Sequence, residues 1–299
     1  MANLTATAAD LPPAVAAALA GASADLAGAR RAIVPDGGYE WSTVAWGDPS
    51  DPPVVLVHGV TSNSDAFWRV GPALAAAGRH VVAVDLPGHG RTGGWLGHHR
   101  FLETASELAD MLRTAGLDRP DLSVLGHSWG AMVVAALPAA GLRPDRLILL
   151  DPPALSAAIM EMLTHDPLER RYDSLDEAQA AIGGANPQWI YGDVRAKALG
   201  LTQFDVGGVL AILSGNGDWD AGLAALSDPA AATVTIWMIR GAPEAGGMVP
   251  DAVLPSFRAR VGADQVITIA DAPHSPQRMY PEATVLAILI ALGEAKAQA

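Results

Sequence analysis

Six short runs, each four to six residues long and apolar on both faces, recur along the chain with longer Ala/Leu-rich stretches between them. They are Val54–Val57, Val81–Val84, Leu122–Leu125, Leu147–Leu150, Val234–Ile239 and Val266–Ile269. A strand with one wet face alternates apolar and polar residues. A strand that is apolar throughout is covered on both faces, as in a parallel sheet between helices. The stretches Phe67–Ala77, Phe101–Ala115, Trp129–Ala140, Pro250–Arg260 and Pro281–Ala291 read as helices. Alternation of β and α elements predicts an α/β, doubly wound, mostly parallel sheet. Ile33–Trp46 reads as a leading antiparallel hairpin that turns at Asp36-Gly37-Gly38.

The alternation stops once. Between Asp151 and about Pro229 there is no β-branched apolar run, only helix-like pieces such as Ser174–Ile182 separated by Gly/Asn clusters. That stretch is expected to be a helical insertion. The implied division is a core of residues 30–150 and 232–299, an inserted helical cap of residues 151–231, and an alanine-rich N-terminal extension of residues 1–29 that forms a surface helix.

Composition narrows the function classes. Half of the 299 residues are hydrophobic and 17% are charged, enough to bury a large core and too apolar for disorder. A net charge of −13 repels phosphate backbones and anionic lipid, so neither nucleic acid nor a membrane is an expected partner. The absence of cysteine excludes disulfides, thiolate metal sites and a thiol nucleophile, and it fits a reducing, cytoplasmic location. No basic-flanked signal segment and no run of 18 strongly apolar residues is present.

The chemistry is concentrated at Gly126-His127-Ser128-Trp129-Gly130. This is a G-x-S-x-G pattern with a strand-like run before it and a helix-like run after it, the setting of a nucleophile elbow. His58-Gly59 follows the first apolar run, where a glycine lets the backbone aim amides at the neighbouring strand end. The expected oxyanion donors are the backbone N–H groups of Val60 and Trp129.

With Asp85-Leu86-Pro87-Gly88-His89-Gly90 and the late His274, these motifs resemble the α/β-hydrolase superfamily over nearly the whole chain outside the insertion. The resemblance implies an eight-stranded sheet, a helical cap after the sixth strand, and a Ser–acid–His triad in that chain order. A serine at the elbow departs from the aspartate nucleophile of the related epoxide hydrolases and haloalkane dehalogenases. His274, in Ala270–Pro276, takes the place of the general base.

The acid has two candidates. The superfamily's usual position is the loop after Val234–Ile239, where similar loops carry aspartate, Ala242 stands here and Glu244 is the nearby carboxylate. Asp151, directly after Leu147–Leu150, is the alternative, a position used by members such as zearalenone lactone hydrolases. Both remain open. His58, Gly59, Phe67, Trp68, Trp189 and Trp219 are the expected substrate contacts.

The expected activity is cofactor-independent serine hydrolysis of a carboxylic ester or lactone of a small hydrophobic molecule. Amide, carbamate or carbon–carbon hydrolysis would use the same residues. Cofactor-free dioxygenases, perhydrolases and hydrolase-like ligand receptors share the core. No metal-ligand spacing and no phosphate loop is seen, and the sequence leaves a homodimer open.

Overall fold

In the computed structural model, which describes residues 3–219, 223–227 and 229–295, the apolar runs are strands of one sheet. The strands are β1 (Arg30–Asp36), β2 (Tyr39–Trp46), β3 (Pro53–Val57), β4 (His80–Val84), β5 (Ser123–His127), β6 (Arg146–Leu150), β7 (Thr235–Arg240) and β8 (Val266–Thr268). Among the described residues they form an eight-stranded sheet in the order β1-β2-β4-β3-β5-β6-β7-β8. The hairpin β1–β2 and the β2–β4 pair are antiparallel, and every other pair is parallel.

Successive side chains of a strand point to opposite faces, and the core divides accordingly. Val55, Val57, Val82, Val84, Val124, Leu147 and Leu149 pack on one side with α3 (Phe101–Thr114) and α4 (Trp129–Ala135). Val54, Leu56, Val81, Ala83, Leu125, Ile148 and Leu150 pack on the other with α1 (Pro13–Ala20), α2 (Val70–Ala76) and a C-terminal helix at Pro281–Ala291. Each fully buried Val or Leu contributes about 1.5–3 kcal/mol relative to exposure, so a sheet apolar on both faces needs both helical layers.

One expectation is corrected here. The helix after β5 stops at Ala135 rather than Ala140; Pro138 lacks an N–H and cannot continue the helical ladder. The N-terminal segment is part of the core's surface layer. Val15 and Leu19, four apart on α1, are buried, and the Leu4 N–H donates to the Thr268 carbonyl at 2.7 Å along the end of β8.

The insertion between β6 and β7 carries α5 (Ala157–Met162), α6 (Leu175–Ala185), α7 (Tyr191–Leu201) and α8 (Val206–Gly215). Ser174 and Asp205 cap α6 and α8, each accepting a backbone N–H three residues on. After β7 come α9 (Leu254–Val261), α10 (Pro276–Met279) and α11 (Pro281–Ala291). Among the described residues, no helix is long and apolar enough to cross a membrane.

Candidate active site

Strand order reverses between β3 and β5, which lie side by side while their onward connections run to opposite halves of the sheet. Open α/β sheets bind ligands at the carboxyl ends of the strands at such a switch point. The registers Val57↔Gly126, His127↔Leu150 and Leu150↔Ile239 bring the ends of β3, β5, β6 and β7 level. The residues that follow those ends are Gly59, Ser128, Asp151 and Gly241.

Ser128 occupies a strained backbone, φ 57° and ψ −126°, between β5 and α4. The turn closes only around small neighbours. A Cβ on Gly126 would lie 2.2 Å from the Gly130 carbonyl oxygen, and one on Gly130 would lie 2.4 Å from that of His58. The hydroxyl of Ser128 sits 2.9 Å from His274 Nε2. His274 lies in the loop between β8 and α10, and its Nδ1 is 2.7 Å from Asp151 Oδ2.

Asp151 is fully buried at the end of β6 with φ 43°, a left-handed backbone that Asp tolerates better than most residues. Its Oδ1 accepts the Gly241 N–H and its Oδ2 accepts the Met248 N–H, both at 2.9 Å. The loop after β7 thus contributes amides to the site rather than a carboxylate. Glu244 lies exposed in the short turn Pro243–Ala245 and makes no hydrogen bond to His274 among the described residues. Ala242 is buried, with its N–H donated to the Ala272 carbonyl. Of the two candidate acids, the structure brings Asp151 to His274 and leaves Glu244 in solvent.

Gly59 passes so close to the elbow that an added Cβ would stand 2.8 Å from Ser128 Cβ. The N–H groups of Val60 and Trp129 have no acceptor among the described residues, so both are free to serve an oxyanion beside Ser128. His58 is not a substrate contact. Its ring is wholly buried, with Nδ1 2.7 Å from the Gly59 carbonyl and Nε2 accepting the Leu86 N–H at 3.1 Å. It ties the end of β3 to the end of β4. Phe67 and Trp68 are also corrected. They lie in the layer with α1 and α2, and the Trp68 indole N–H donates to Asp193. Burial pushes His58 down to about 4 and His89 to about 3, and holds His127 well below the usual range. All three stay neutral beside the site.

A cavity of about 620 Å³ opens over Ser128 and His274, lined also by Trp189 and Trp219. Its apolar wall comes largely from the insertion: Met160, Leu163, Leu168, Ile182, Phe204 and Leu213. Sequence reasoning missed a polar cluster on this wall. Lys197 of α7 donates to Glu169 Oε2 at 2.6 Å and to Thr61 Oγ1 at 2.9 Å, and Thr61 Oγ1 also donates to Glu169. The signal available was a lone lysine in the apolar half of Tyr191–Leu201, which names no partner. Among the described residues there is no group of three or more His, Cys, Asp or Glu placed to hold a metal.

Residues 52–181 match the model of the α/β hydrolase fold family. The monoacylglycerol lipase of Mycolicibacterium smegmatis is 36% identical over 117 residues, 38% of this chain and 42% of the lipase. Epoxide hydrolase B of Mycobacterium tuberculosis is 37% identical over 101 residues, 33% of this chain and 27% of that enzyme. The chain therefore spans less than half the length of these curated relatives. The solved structure of E-2-(acetamidomethylene)succinate hydrolase superimposes with a TM-score of 0.71 at 21% identity, over 89% of this chain and 98% of that one. A thioesterase domain from the curacin biosynthetic pathway gives 0.66 at 21% identity, over 88% and 99% of the two chains.

Proposed function

We propose that this chain, whose residues 52–181 match the α/β hydrolase fold family, is a serine hydrolase of that superfamily cleaving a carboxylic ester or lactone of a small, largely apolar molecule. The observation that carries this reading is the unbroken contact chain Ser128 Oγ–His274–Asp151, at 2.9 and 2.7 Å, on the floor of the apolar cavity. The residues of the insertion would act as a cap that excludes water from it.

In this mechanism His274 Nε2 takes the Ser128 proton as Oγ attacks the substrate carbonyl. Asp151 holds Nδ1–H and stabilises the imidazolium. The Val60 and Trp129 amides bind the tetrahedral oxyanion, each worth about 3 kcal/mol of transition-state stabilisation. His274 then protonates the leaving alkoxide, leaving an acyl-serine. A water deprotonated by His274 releases the acid and restores Ser128. The serine at the elbow favours acyl transfer over epoxide opening, for which the related enzymes use an aspartate there.

The test is intact mass after incubation with a fluorophosphonate. One adduct is expected on the parent and none on Ser128→Ala, followed by turnover of members of an ester and lactone panel. A folded parent that neither labels nor hydrolyses any of them would sink the reading.

A further inference from the structure

Arg278 projects into the same cavity from α10, four residues after His274. Its guanidinium carbon lies 4.7 Å from the centre of the Trp189 ring. Among the described residues it has no ion pair, and its side chain makes one long contact, 3.5 Å, to Ser275 Oγ. The carboxylates that influence it are already matched. Asp193 pairs with Arg69 at 2.5 Å and accepts the Trp68 indole N–H at 3.1 Å, while Glu169 pairs with Lys197 at 2.6 Å. Burial disfavours the guanidinium charge, while Asp193 and Glu169 favour it, and an arginine keeps its proton in any protein site. Arg278 therefore puts on the cavity wall a positive charge that no carboxylate pairs with among the described residues, on a planar fork braced by an aromatic face.

A half-buried cation gains from pairing with an anion, and its fork matches a carboxylate in a two-point contact. We propose that Arg278 is the anchor for a carboxylate on the substrate, so that the molecule hydrolysed is an ester or lactone bearing a free carboxylate on an apolar body. The apolar body would fill the space beside Ile182, Leu168 and Phe204, and the carboxylate would displace water from Arg278. The choice of ester or lactone rests on the serine-hydrolase reading above; the carboxylate subsite does not.

The test separates the two. Binding of 4-phenylbutyrate and of the neutral 4-phenyl-1-butanol to the intact chain is measured by calorimetry at pH 8; neither needs turnover. A charged hydrogen-bonded contact of this kind favours the acid by about tenfold to a hundredfold. That preference should collapse in Arg278→Gln and survive in part in Arg278→Lys, which keeps the charge without the fork. Equal binding of acid and alcohol to the parent overturns the proposal, as does no binding of the acid at millimolar concentration. So does a preference that persists in folded Arg278→Gln. Where Arg278→Gln does not fold, the parent's preference and Arg278→Lys decide. Fluorophosphonate labelling reads Ser128 separately: acid preference without labelling keeps the carboxylate site and removes the esterase, and labelling without acid preference does the reverse.

Discussion

Asp151 carries three hydrogen bonds on one buried carboxylate, from His274, Gly241 and Met248. Asparagine would fit the space and the positive φ, but one end of its amide would face a donor. The imidazole would lose both its orientation and its charge partner. Asp151→Asn is therefore expected to lower kcat by about 10³–10⁴ with little change in KM, whereas Glu244→Gln should leave both within about twofold, since its carboxylate is exposed and uncoupled. Steady-state kinetics on one ester reads both variants, and a large loss in Glu244→Gln would reverse the assignment. This difference also marks how far the sequence could be read. Ser128 and His274 stood out because their flanking glycines, strand and late loop position are local. The acid did not, because Asp151 and Glu244 both follow an apolar strand. Only the parallel register of β6 on β7, and a contact across 123 positions, distinguish them. Arg278 and Lys197 were invisible for the same reason, since a lone cation in sequence does not reveal whether it meets a carboxylate.

At the scale of elements, strand positions followed from their two-sided apolarity and Pro281–Ala291 began and ended as the sequence predicts. The insertion was legible only as helical. How it meets the core depends on polar contacts between distant residues, chiefly Lys197 and Glu169 with Thr61. Thr61 sits in the loop after β3 with φ 55°, an unfavourable backbone for a β-branched residue. It follows Val60, whose N–H has no acceptor among the described residues. Lys197 donates to both its hydroxyl, at 2.9 Å, and its carbonyl, at 3.4 Å. α7 therefore helps hold that loop in its strained form. Lys197→Met should lower stability by about 1–3 kcal/mol, the cost of leaving buried acceptors unmatched, and should also lower kcat while KM changes little. Adding Glu169→Gln should cost less than the sum of the single losses, because the two act as a pair. Urea melts and kinetics on the three variants test this. Strict additivity, or unchanged kcat in a folded Lys197→Met, would show that α7 does not position the loop.

For the whole molecule, the buried histidines set the acid limit. His58 and His89 are held at about 4 and about 3, and His127 well below its ordinary value, chiefly by burial. Their bonding agrees: His58 Nε2 accepts the Leu86 N–H, so a proton there would set donor against donor. His89 Nε2 is buried without a partner among the described residues. An unfolded histidine titrates near 6.5. Between that value and about 4, the unfolded chain binds protons that the folded chain refuses. Stability is therefore full above pH 6.5 and lost as pH falls. Each histidine removes up to about 1.4 kcal/mol per pH unit, so His58 and His89 together remove up to about 3, and His127 acts in the same direction. Two units of acidification would then consume up to about 6 kcal/mol through His58 and His89, against a typical total of about 5–15. The chain should unfold cooperatively between about pH 4 and 5, before most of its carboxylates are protonated. Urea titrations followed by tryptophan fluorescence at pH 7.5, 6.0 and 5.0 measure the slope directly. His89→Gln removes one of the three groups and should flatten it, even if it lowers stability at pH 7.5. A stability that stays level from pH 6.5 to 5.0 would mean that these rings admit a proton in the folded state, and that His58 does not hold the end of β3 to β4 as a neutral ring.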